Sequence, residues 1–110
     1  MRQILIDELI PDEVAAIHEF LQANAVESGI EGLYWVELTE DLLDPEQFGQ
    51  KKDHPFCFAV EVGDSWVKFE FLIRSQHNIK STGTRFASRS QLEFVLQYSN
   101  RIIGETGLKT

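Results

Sequence analysis

Hydrophobic and polar positions alternate most clearly over residues 56–71, FCFAVEVGDSWVKFEF, on both sides of Gly63-Asp64. A period of two is that of a strand with one buried face. A two-residue turn centred on Gly63-Asp64 sets Val60 against Val67, Phe58 against Phe69 and Phe56 against Phe71 on one face. Cys57 with Glu70, Ala59 with Lys68 and Glu61 with Trp66 then share the other. A slip of one residue would turn the phenylalanines to solvent, so the pattern predicts a core-building hairpin.

LYWVEL at 33–38 is rich in aromatic and β-branched residues and reads as a further strand. Tyr34, Val36 and Leu38 lie on one face, with Leu33 and Trp35 on the other. Apolar residues on both faces predict a central strand. Helical spacing appears twice. Pro11, Asp12 and Glu13 open a helix expected over 11–26, with Val14, Ile17, Phe20 and Leu21 on one side. Ser88 and Gln91 form a capping-box pattern ahead of a stripe of Leu92, Val95, Leu96, Ser99, Ile102 and Ile103, stopped by Gly104 or Gly107. The lead-in RQILI is either an edge strand or an extended segment, and periodicity does not separate the two. In the polar connector 39–55, Asp44-Pro45-Glu46-Gln47 can start one helical turn and Gly49 can end it, with KKDH a mobile tip. Residues 75–87 are polar and without period.

The expected fold is α+β in the order α-β-β-β-α. It is a two-layer sandwich in which a small antiparallel sheet of three to four strands carries the N- and C-terminal helices on one face. Residues 1–110 form one domain in this reading. The chain is 43% hydrophobic and 11% aromatic, enough for one core. No apolar run approaches the ~20 residues of a membrane span, and Asp7 and Glu8 interrupt the first apolar run before it could act as a signal segment. With a lone Cys57 as well, the expectation is a cytoplasmic protein without membrane contact.

Charge is unevenly distributed. The formal net charge is −8. Residues 1–70 carry 4 Lys/Arg against 16 Asp/Glu, whereas residues 71–110 carry 6 against 2. No acid occurs between Glu70 and Glu93, so Arg74, Lys80, Arg85 and Arg89 form a basic run within an acidic chain.

Few constellations suggest chemistry. His54-Pro-Phe-Cys57 lacks further ligands at a usable spacing, and residues three apart on a strand face opposite ways, so no metal site is expected. Glu70, the predicted neighbour of Cys57, would raise the thiol pKa and disfavour a nucleophile. Asp12-Glu13 and Glu40-Asp41 read as helix-start acids rather than catalytic pairs. KSTGTR at 80–85 has the residues of a phosphate loop but not their order. Ser81, Thr82, Thr84 and Ser88, with Arg85 and Arg89, could still hold an anion at the start of the last helix. Trp66, expected to be at least half exposed on the outer sheet face beside Trp35 and Leu33, is the candidate apolar anchor. Neither a cofactor nor a catalytic residue is expected.

The candidate binding residues are therefore Trp66, Arg74, Lys80, Arg85 and Arg89, and the expected partner is another protein. The alternative is nucleic acid. In element order the chain resembles the double-stranded RNA-binding domain, which also places basic residues at the start of its last helix, where Arg85 and Arg89 fall here. The Lys-rich signature of that family is absent, the first helix is acidic, and the connector is longer. The acidic net charge opposes nonspecific affinity for phosphates.

Overall fold

The alternating segment 56–71 forms strands in a register two residues away from the one that Gly63-Asp64 predicts. The structure is a computed structural model and describes residues 2–108. Strands β4 (Phe56–Val62) and β5 (Val67–Glu70) set Val62 against Val67, Glu61 against Lys68 and Val60 against Phe69. Residues 63–66 form the loop, closed by the Gly63 N–H donating to the Trp66 carbonyl at 2.8 Å. A two-residue hairpin turn needs positive φ at its centre. Positive φ occurs at Glu8, Gly29, Gly32 and Gly107, and at neither Gly63 nor Asp64. The longer loop therefore forms and draws Trp66 into it. A shift of two residues preserves the faces, so Phe56, Phe58, Val60, Val67 and Phe69 all remain fully buried.

The predicted Phe56–Phe71 pair does not form. β5 ends at Glu70, and β6 (Leu72–Ser75) resumes against β4 with Phe56 facing Ser75 and Cys57 facing Arg74. Between these pairs and Val60–Phe69 the β5–β6 side carries two more residues than β4, which makes a bulge that bends the strand. The outer edge of this bent strand has two partners. β1 (Gln3–Ile6) pairs with β5, and β7 (Arg85–Phe86) pairs with β6. The RQILI segment is thus an edge strand.

On the other side, β3 (Leu33–Glu37) pairs with β4, and β2 (Val26–Glu27) pairs with β3, which makes β3 an internal strand. The sheet has seven antiparallel strands in the order β1-β5-β4-β3-β2, with β6 beside β4 and β7 beside β6. This corrects the expected α-β-β-β-α order of three to four strands. The added strands have two to four residues, too few to show a period, and the bulge divides one expected strand in two.

Helices α1 (Pro11–Asn24) and α3 (Arg89–Thr106) flank the short α2 (Pro45–Gly49) in the sequence. Ile17 and Leu21 of α1 and Val95 and Ile102 of α3 join Tyr34, Val36, Phe58 and Phe69 in one core cluster. The two long helices therefore cover one face of the sheet, and the α+β layering agrees with the sequence. The buried side of α3 is turned from the expected stripe, with Tyr98 inside and Leu96 41% exposed. Phe94 and Tyr98 pack edge-on against Phe58, with ring centroids 6.2 and 5.8 Å away, and this contact sets the rotation. Gly107, at φ 71°, ends the helix.

Candidate functional site

On the sheet face away from the helices, the centre of β4 carries two small residues, Cys57 and Ala59. Both are buried although neither points into the core. Trp35 lies opposite Ala59 and Arg74 opposite Cys57, so these two large side chains cover the small ones. The Arg74 guanidinium carbon lies 5.6 Å from the Trp35 ring centroid, and Nη2 donates to Glu70 Oε2 at 2.8 Å. Beneath them the Cys57 thiol donates to the Arg74 carbonyl at 3.5 Å. Burial, with a smaller contribution from Glu37, pushes its pKa up to about 12, so it is not a nucleophile at neutral pH.

Residues 76–84 bound this surface and form a cleft of about 440 Å³ whose lining includes Trp35, Arg74, Gln76, His77, Ile79 and Thr84. Four buried side-chain polar atoms among the described residues have no protein hydrogen-bond partner, and three of them, Arg74 Nε, Gln76 Oε1 and Thr84 Oγ1, belong to this cleft. A buried polar group left unpaired costs ~1–3 kcal/mol, and such groups are few in folded proteins. Ile79 stands at the rim with 91% of its surface exposed. The fourth unpaired atom, the Tyr98 hydroxyl, lines a hollow of about 580 Å³ on the other side of Trp35, between α1 and α3.

The 76–84 wall is held by the connector, in which the KKDH segment forms a 3-10 turn over Lys51–Asp53. Asp44 and Gln47 form a capping box on α2, as Ser88 and Gln91 do on α3. Glutamate would serve this role equally well at the third helical position, but glutamine keeps an amide N–H₂ free to donate. Gln47 Nε2 donates to the Gly83 carbonyl at 2.8 Å, while Gln91 Nε2 donates to Gln47 Oε1 at 2.9 Å and to the Leu42 carbonyl at 2.8 Å. Asp53 accepts from the Ser81 hydroxyl at 2.6 Å and from Asn78 Nδ2 at 3.0 Å. These two bonds, Ser81 first, hold its carboxyl below the usual range. His54 Nε2 lies 2.8 Å from the Gln47 carbonyl oxygen, so His54 belongs to the same seam.

The predicted binding residues separate. Arg74 is in the cleft. Trp66 is only partly exposed: it belongs to the 63–66 loop, with its indole lying over Gly63, which corrects its expected place opposite Glu61. Arg85 is engaged, its Nη1 3.2 Å from Asp44 Oδ2 and its Nη2 2.9 Å from Glu46 Oε1. Its hydrogen bond lowers the Glu46 pKa. Lys80 and Arg89 are exposed and lie outside the cleft. Three of the four hydroxyls expected to cradle an anion are already used: Ser81 serves Asp53 and Gln50, Thr82 accepts from Gln50 Nε2, and Ser88 caps α3, while Thr84 Oγ1 is buried in the cleft wall. Leu72, Gln76 and Ile79 had no part in the sequence reading, and Thr84 entered it only as a hydroxyl of the expected anion cradle. One signal pointed to them, the single isoleucine in the aperiodic polar run 75–85.

Among the described residues no group of three or more His, Cys, Asp or Glu side chains could hold a metal ion. No helix among them is long and apolar enough to cross a membrane. Comparison with protein families, with curated proteins and with solved structures finds no match to this chain. The element order that resembled the double-stranded RNA-binding domain is not the one observed, and Arg85, at the comparable location, is neutralised by acids of the connector.

Proposed function

We propose that this chain is a non-catalytic interaction domain that acts by binding another protein, and that the partner docks on the outer sheet face at the Trp35–Arg74 cleft. The observation that carries this reading is the convergence of three unpaired buried polar atoms and the exposed Ile79 on one cleft walled by a tryptophan and an arginine. Tryptophan and arginine are the residue types that dominate binding energy at protein interfaces. Arg74 keeps its role from the sequence, Trp35 replaces Trp66 as anchor, and Arg85 serves the seam. A cytoplasmic setting is part of the reading, supported by the single buried thiol of Cys57.

Nucleic acid is the alternative partner, and one observation favours it. Folding brings Lys51 and Lys52 of the acidic half to one rim with Lys80. Against it, Arg74 and Arg85 are matched by Glu70, Asp44 and Glu46, which removes two of the four cations of the basic run.

The test compares the wild-type chain with Trp35→Ala and with Lys80→Glu/Arg89→Glu. A polypeptide captured from the native lysate is identified, purified and titrated against each, with circular dichroism controlling for fold. Trp35→Ala is expected to cost about 2 kcal/mol or more, roughly thirtyfold in Kd, and the charge reversal little. Unchanged affinity in Trp35→Ala overturns the docking reading. Saturable binding of RNA or DNA at ~150 mM salt, lost in the charge reversal, replaces it with the alternative.

A further inference from the structure

The unpaired atoms of the cleft also specify what kind of group fits it, an inference that rests on the docking reading above. Arg74 Nε–H can only donate, Gln76 Oε1 can only accept, and the Thr84 hydroxyl can do either. A ligand that meets all three must present both an acceptor and a donor. In the orientation the Gln76 amide adopts here, a carboxylate or phosphate, which presents acceptors alone, would leave Oε1 unmet. An ammonium group presents donors alone and would leave Arg74 Nε–H unmet. Charge leads to the same choice. The Arg74 guanidinium is already matched by Glu70, with Nη2 and Oε2 2.8 Å apart, so Arg74 itself offers an anion little net attraction. The remaining lining is the apolar Trp35, Leu72 and Ile79, with His77 and with Ser75, whose hydroxyl already donates to the Asp53 carbonyl.

We propose that the cleft recognises a neutral peptide amide next to an apolar side chain, that is, an uncharged segment of a partner polypeptide. The amide carbonyl accepts from Arg74 Nε–H, the amide N–H donates to Gln76 Oε1, and the Thr84 hydroxyl bonds to whichever is nearer. The apolar side chain lies on the Trp35 ring between Leu72 and Ile79. All three polar atoms are closed to water-sized contact in the unliganded wall. Entry of the amide therefore requires the Arg74, Gln76 and Thr84 side chains to move apart, and the gain comes from partners that these three atoms lack at rest.

The experiment titrates ¹⁵N-labelled protein with three small probes at equal ionic strength: N-acetyl-leucine amide, 4-methylpentanoate as the carboxylate without an amide, and isoamylammonium. The readouts are the side-chain resonances of Arg74 Nε–H and Trp35 Nε1–H. N-acetyl-leucine amide is expected to shift both saturably, with the carboxylate and the ammonium each about tenfold weaker, the effect of one missing hydrogen bond. Arg74→Lys keeps the charge and removes the Nε donor, and should abolish the preference for the amide. Thr84→Val and Gln76→Met provide the same comparison if Arg74→Lys unfolds. Equal or tighter binding of the carboxylate, or no movement of either resonance up to ~100 mM amide, overturns the assignment. A partner protein lost in Trp35→Ala while the amide probe fails leaves the docking reading standing and the amide chemistry refuted. Amide binding with partner affinity indifferent to Trp35→Ala gives the reverse.

Discussion

Replacing Gln47 with leucine tests whether the seam between the connector and the 76–84 wall is held by hydrogen bonds rather than by packing alone. Gln47 is fully buried, and leucine is close to it in volume, so the substitution removes polar partners and little else. Three groups lose a partner: the Gly83 carbonyl at 2.8 Å, one N–H of Gln91 Nε2 at 2.9 Å and the Asp44 N–H at 3.1 Å. Asp44 lies close enough to solvent for water to replace the bond, whereas Gly83 and Gln91 are buried. Two buried orphans at ~1–3 kcal/mol each, offset by ~2 kcal/mol for burying leucine, give an expected net loss of about 2 kcal/mol. Urea unfolding measures it, with Gln50→Leu, at the exposed end of the seam, staying within ~0.5 kcal/mol as control. The double substitution Gln47→Leu/Gln91→Leu should be less damaging than the sum of its parts, because it removes the orphan that the single change creates. Hydrogen exchange in 76–84 should also quicken in Gln47→Leu, since Gly83 loses its anchor. A Gln47→Leu variant as stable as wild type, or an additive cycle, would refute the account of the seam.

Gly83→Ala should destabilise by ~1–3 kcal/mol in a thermal melt, because a Cβ there would lie 2.7 Å from Cζ of the fully buried Phe56 and 3.1 Å from Gln47 Cγ. Gly49→Ala, where a Cβ meets nothing within 4 Å, should be neutral or mildly stabilising. The thiol of Cys57 is expected to resist Ellman's reagent at pH 8 except as the protein opens; stoichiometric reaction within seconds would show that Trp35 and Arg74 do not cover it. Its linkage to stability runs one way. The folded pKa of about 12 stands above the ordinary 9.0, so the contribution is whole below pH 9 and is lost as pH rises toward 12, since the unfolded chain releases its proton first. Urea midpoints should therefore fall less steeply with alkaline pH in Cys57→Ala than in wild type.

Local sequence determined which side of each major element is buried. In 33–38 and 56–62 the period of two assigns Tyr34, Val36, Phe56, Phe58 and Val60 to the core, and a register shift of two residues cannot undo that assignment. The helix starts were equally legible, because a capping box involves residues only three apart: Ser88 with Gln91, and Asp44 with Gln47. Tertiary structure decided what these elements meet. The two box glutamines bond to each other across 44 positions of sequence, and Ser81 reaches Asp53 across 28, contacts that leave no local pattern. The basic run looked free in the sequence because its counter-charges, Asp44 and Glu46 for Arg85, lie in a connector with no readable position. The cleft arises for the same reason. Trp35 and Arg74 come together only because β3 and β6 both pair with β4, and the bulge after β5 places Arg74, instead of the expected Glu70, opposite Cys57.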